Sequence, residues 1–304
     1  MSQELRVPAP KPAEQTGTWW RVLLSAMVLY VVGFVILAVT SNPNLFPTVV
    51  MIGSFMVPAS FVAFFYERRH RSQLTMSRTL MGFFYGGLLG VFSASIVEPV
   101  FITGVNLTTF PLVGIIEELA KILGVLAIAR RYRHDSEVDG IILGAAAGMG
   151  FAAMESTGYA FTAFMSSGGS VTAAVAVTFL RGIMSPLGHG TWTAILAGVL
   201  FRESRQGHYR LNGAVLLAYL AVVILHALWD GLPLLMSAFL LTGLDVFVGQ
   251  LIVGATGLAV LTKLWREANR LQDKQAANAE QTSSGGADAG RAAPPLSVEG
   301  HGEG

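Results

Sequence analysis

Eight of the ionisable side chains inside otherwise apolar stretches of the chain gather in four short motifs. Glu117, Glu118 and Lys121 lie in FPLVGIIEELAKILGVLAIA (110–129), and Glu155 lies in GFAAMESTGYAF. Arg181 and His189 belong to FLRGIMSPLGHGTWTAILAG, and His226 and Asp230 to LHALWD. At the centre of a membrane span each such charge costs about 2.5–3.5 kcal/mol on insertion scales, so a chain that keeps them is expected to use them. Carboxylates beside histidines in a wet pocket suit hydrolysis: a buried glutamate can activate water, and a second group can stabilise the oxyanion. The same residue types ligate zinc, and a catalytic zinc site leaves one position open for water. HExxH is absent. With no cysteine, thiolate metal sites, disulfides and cysteine nucleophiles are excluded. No serine sits in a nucleophile elbow near the histidines, and Asp230 has no aspartate twin at its depth.

The elements that must position these groups are membrane spans. The 304 residues are 53% hydrophobic and only 13% charged, with a mean hydropathy of +0.57, where a soluble domain would carry about 25% charge. The expected class is an all-α polytopic membrane protein. Apolar windows fall near residues 19–40, 47–66, 79–102, 110–130, 138–164, 181–201, 211–235 and 242–264, giving about eight transmembrane helices. The sixth contains Pro186, and its length suggests a re-entrant or interfacial piece followed by a span that restarts near the proline. The loops ERRHRSQLTMSR, RRYRH and RESRQGHYR carry ten arginines, whereas SNPNLF, TGVNLTT, MSSGGSV and MSAFLLT carry none. The positive-inside rule then places both termini in the cytoplasm. The organisation expected is a cytoplasmic tail (1–18), spans one to three (19–109), a catalytic core of spans four to seven (110–235), a last span (236–271) and a small, polar tail without structure (272–304). The first span reads as uncleaved, with no small-residue processing site after it. A net charge of +1 gives no reason to expect nucleic acid.

That topology converts sequence position into depth. Glu117 and Glu118 lie about 10 Å below the outer end of span four, and Glu155, His189, His226 and Asp230 reach the same outer-half layer from spans five, six and seven. Glu98 and Asp245 come out shallower and are left off the site. Glu117 with Lys121, Phe151 with Glu155, and His226 with Asp230 are i, i+4 pairs that share helix faces. Lys121 is expected to neutralise Glu117 while Glu118 points about 100° away. Arg181, near the start of span six, is expected to pair with Glu155 or Glu98. Asp139 reads as a helix cap, Gly144 and Gly148 as a close-packing face, and Trp192 and Trp229 as packing around the histidines.

These motifs resemble those of the PrsW family of intramembrane proteases, distant relatives of the CAAX-processing proteases. EELAK matches EExxK, VDGIILGAAAGMGFAAME the DG…GFxxxE segment, FLRGIMSPLGHGTWTAILAG the third motif with its Arg and His, and LHALWD the closing HxxxD. The resemblance covers about residues 110–235, with all four motifs in order. It implies cleavage of a single-pass membrane protein, with an anti-sigma factor as the best-known substrate type, in the plasma membrane of a bacterium. It also implies that Glu117 and Glu118 are the essential acidic pair and His189 an essential partner. Glu155 and Asp230 stand where CAAX-type enzymes have histidine and asparagine. His226 is left between an oxyanion donor and a metal ligand. A zinc ion, if used, is assigned to His189, His226 and Glu155, with Lys121, Phe151 and Arg181 in support. Two other readings compete: a proton-coupled transporter or channel, which would spread polar groups along a path to the cytoplasm, and a CAAX-like peptide-processing protease working from the cytoplasmic side.

Overall fold

A bilayer core holds no water to satisfy backbone N–H and C=O groups, so each apolar window has to close its hydrogen bonds within itself. A computed structural model, which describes residues 17–69, 72, 74–130, 136–205, 208–239 and 243–291, shows helices in every window. Helices α1 (Thr18–Thr40) and α2 (Phe46–Glu67) form a hairpin whose 3₁₀ turn, Pro43–Leu45, is capped by Asn42. Span three is α3 (Met76–Met81), a π-helical turn (Gly82–Gly86) and α4 (Gly87–Phe101). Then come α5 (Thr109–Ala129), α6 (Glu137–Ser166), α7 (Val171–Met184), α8 (His189–Arg202), α9 (Gly213–Ser237) and α10 (Leu244–Arg291). Among the described residues, seven helices or helix runs are long and apolar enough to cross a membrane. The eighth, α5, has 21 residues and carries the three charges. Large apolar side chains face outward on many of them, among them Val39, Ile96, Val100 and Leu217 at 70–80% exposure, a surface that only lipid tails can cover.

Three local expectations are corrected. The sixth span starts at Val171 and runs to Arg202, with a 3₁₀ break at Ser185–Leu187. Arg181 therefore sits in the last turn of α7, just before the break, not near the start of the span. The cause is local: Gly168 and Gly169 take positive φ in the preceding turn, and Ser170 then caps α7 by accepting from Ala173 N–H. Ser136, not Asp139, caps α6, accepting from Asp139 N–H at 3.4 Å. The segment after residue 272, expected to lack structure, continues α10 as far as Arg291; its first part, LQDKQAANAEQ, is rich in good helix formers that extend an existing helix. Residues 292–304 lie outside the described residues, as does most of the N-terminal tail.

Helix α6 is the pillar of the fold, buried along most of its length. Gly140, Gly144 and Gly148 form a stripe against α8. A Cβ on Gly140 would lie 2.5 Å from the Ala197 carbonyl oxygen, and one on Gly144 would lie 2.5 Å from that of Thr193. A Cβ on Gly148 would collide with the carbonyl of His189 itself. Backbone contact this close locks the first turn of α8 onto α6, so the glycine stripe sets the position of a histidine of the site. Gly148→Ala is expected to push His189 outward and lower turnover about 10²-fold, the effect of a displacement near 1 Å on a reacting group. Gly158→Ala, where the added methyl meets nothing within 4 Å, is the control and should match wild type in the same peptide-cleavage assay.

Candidate active site

Glu117 and Glu118 stand in the middle of α5, and Lys121 folds back between them. Its Nζ lies 3.1 Å from Glu117 Oε2 and 2.7 Å from Glu118 Oε1. Both Glu118 and Lys121 are fully buried. Residues three apart on a helix are neighbours as surely as residues four apart, so Glu118 does not point away from the lysine. An ammonium has three donors; one goes to Glu118 Oε1 and another to His189 Nδ1 at 2.8 Å, across to the first residue of α8.

That contact sets the histidine's tautomer by inference from the network. Because Nδ1 accepts from Lys121, Nε2 carries the proton and donates to Glu155 Oε2 at 3.0 Å. Glu155, on α6, also accepts from Arg181 Nη2 at 2.7 Å, which resolves the arginine's partner. On α9, His226 Nδ1 lies 2.9 Å from Glu118 Oε1 and donates to it. Its Nε2 then faces Asp230 Oδ2 at 3.2 Å and Glu117 Oε2 at 3.6 Å. One continuous set of polar contacts thus joins α5, α6, α7, α8 and α9. Aromatic rings close its sides. Phe151 lies under Lys121 Nζ at 4.2 Å from its centroid, and Trp192 packs on His226 at 4.8 Å and on Trp229 at 6.0 Å. These faces exclude water from one side of the network and attract the cation.

The other side opens on a cavity of about 460 Å³ lined by Glu98, Glu117, Glu155, Tyr159 and Asp230, among others. Glu118 does not line it. The adjacent glutamates are therefore divided: Glu117 faces the cavity, and Glu118 holds Lys121 and His226 from behind. Glu98, left aside on depth, belongs to the site. Its carboxyl lines the same cavity as that of Glu117, and the loop after α4 contributes Ile102 and Val105 to the same wall. Its one signal in the sequence was a carboxylate within SIVEPVF, an apolar run. Tyr159, also missed, stacks on Arg181 at 4.0 Å. Asp245 lines none of this cavity.

The residues present fit a zinc ion. Glu117, His189 and His226 can each bring a ligand atom within 4.8 Å of the other two. Glu117 Oε2 is 3.6 Å from His226 Nε2 and 3.9 Å from His189 Nδ1. Tetrahedral zinc with bonds near 2.0–2.1 Å holds its ligand atoms about 3.4 Å apart, so small adjustments suffice. Neither Glu117 Oε2, although within ion-pair range of Lys121, nor His226 Nε2 makes a well-formed hydrogen bond among the described residues. Each histidine also has a carboxylate on its other nitrogen, Glu155 for His189 and Glu118 for His226, the arrangement that orients metal-binding imidazoles. The carboxylate that groups with the two histidines is thus Glu117, and Glu155, expected to be a ligand, stands behind His189.

Against known proteins, the family model for the PrsW family intramembrane metalloprotease matches residues 75–261, more than half of the chain. No curated protein and no solved structure matches. The match spans every helix that contributes to the cavity and extends the likeness beyond the four motifs to the third and last spans. A buried glutamate, lysine and histidine network beside a cavity of about 460 Å³, on helices that cross a membrane, is what an intramembrane hydrolase requires, and the chain belongs to the PrsW family of intramembrane metalloproteases.

Proposed function

We propose that the enzyme is an endopeptidase that hydrolyses a peptide bond of a single-pass membrane protein, of the anti-sigma-factor kind, within a bacterial plasma membrane. The observation that carries this reading is Glu117: it is the carboxylate that reaches both the cavity and the two histidines. An unwound stretch of substrate enters the cavity between α4, α5, α6 and α9, past Ile102 and Val105. Glu117 takes the proton from the attacking water. Glu117 then returns that proton to the departing amine, with His226 and Asp230, 3.2 Å apart, flanking it. Glu118 and Lys121 keep Glu117 and His226 in register, and Arg181 and Glu155 do the same for His189.

A zinc ion would be held by Glu117, His189 and His226, His189 Nδ1 exchanging the Lys121 ammonium for the ion, and would supply Lewis-acid polarisation of the scissile carbonyl. The alternating arginine-rich loops support a site open to the outer side, and this orientation argues against the CAAX-like reading. The test uses purified protein in liposomes with a library of single-pass stubs, read by mass spectrometry. Wild type should release defined products that His189→Ala does not, and a chelator should abolish them until zinc is restored. Products that persist in His189→Ala would sink the site assignment, and products indifferent to chelator would remove the metal.

A further inference from the structure

Away from the site, a second cavity of about 860 Å³ opens between α1, α2, α7 and α10. Its walls are apolar and aromatic, with Phe61, Phe64 and Phe179 among them, and Trp19 and Trp265 near one end. That end is basic. Arg68 and Arg266 line the mouth. Lys263 and Arg270, with a single acid, Glu267, line an adjoining groove on α10 that shares Arg266.

The dimensions match one leaflet. From Met56 to Arg68 along α2 is twelve residues, about 18 Å of helix, against about 15 Å for half of the hydrocarbon core. The paired tryptophans mark the headgroup level, where indole rings settle. Arg266 and Lys263 have no ion-pair partner among the described residues, and Arg68 is turned along its own helix, donating to the Phe64 carbonyl and lying 3.6 Å over the Phe64 ring. Guanidinium groups match phosphate with paired hydrogen bonds, and basic pockets between spans on an apolar floor suit anionic lipid headgroups.

We infer that this cavity is a binding site for one anionic phospholipid, its phosphate between Arg68 and Arg266 and an acyl chain running inward along Phe61 and past Pro186 to Ile183 and Phe179. Charge complementarity selects the occupant: a zwitterionic lipid would fill the apolar floor but place a second cation beside the two arginines. The chain would pass along the 3₁₀ break that precedes His189, which ties lipid occupancy to the support of that bend.

The experiment is native mass spectrometry of the full chain in detergent, offered phosphatidylglycerol or phosphatidylcholine with identical acyl chains. Wild type should retain one phosphatidylglycerol about tenfold better than phosphatidylcholine, the discrimination worth one charge-assisted hydrogen bond. Arg68→Gln/Arg266→Gln should bring the two lipids level. Arg266→Gln alone, at an exposed position on α10, guards against misfolding of the double variant and should give an intermediate ratio. Equal retention of the two lipids by wild type, or an unchanged ratio in Arg266→Gln, would overturn the inference.

Discussion

Lys121→Met is expected to lose about 3–5 kcal/mol of stability, the range for removing one partner of a buried ion pair, and with it all proteolysis. The ammonium is fully buried and touches Glu117, Glu118 and His189 at 2.7–3.1 Å. Methionine fills similar volume but leaves two carboxylates facing each other in an apolar interior. Lys121→Arg is not a mild alternative, because a planar guanidinium needs space that the Phe151 ring, 4.2 Å away, does not leave. Thermal unfolding in detergent measures the loss. The double variant Lys121→Met/Glu118→Gln should recover part of it, since the uncompensated charge is then removed and the two sites are coupled. A Lys121→Met protein that melts with wild type would mean that the network does not hold α5 in place.

The second large effect separates two neighbours. Glu117→Gln is expected to lower turnover about 10²–10⁴-fold, the usual contribution of a general base, with little change in melting temperature, because the amide keeps the shape of a side chain that borders the cavity. Glu118→Gln should lower both. The carboxylate it replaces accepts from Lys121 at 2.7 Å and from His226 at 2.9 Å and sees no cavity. Its loss weakens a buried pair and frees His226 to rotate. Paired measurements of melting and peptide release decide the matter. Equal stability loss in the two variants would end the division of labour between a reacting glutamate and a positioning one.

How much of this was legible beforehand differs by feature. Spans were, because a bilayer demands about 20 apolar residues and leaves little room for other solutions. The motif residues on α5, α6, α8 and α9 were too, since a charge in hydrocarbon is too costly to be ornamental. Glu98 was not. Counting residues from a helix end gives depth along the axis, and cannot show that the loop bearing Ile102 and Val105 folds back as part of the cavity wall. Glu118 was misaimed because only the i, i+4 neighbour was considered, although Lys121 reaches its i, i+3 partner at the shorter distance. The choice of Glu117 over Glu155 beside the histidines was beyond a linear reading: it depends on the break at Ser185–Leu187, which turns His189 so that one nitrogen faces α5 and the other α6. The helix beyond residue 272 was hidden for a different reason, its polar composition masking good intrinsic propensity.

The pairing of Lys121 with two glutamates of its own helix has a consequence for biogenesis. α5 leaves the ribosome before α8 and α9, so neither His189 nor His226 exists when it is offered to the membrane. At that moment the only compensation for two acidic groups is the lysine one turn away, and α5 enters with a residual negative charge that nothing yet balances. The helix is therefore a poor passenger on its own and a good one once the later spans arrive.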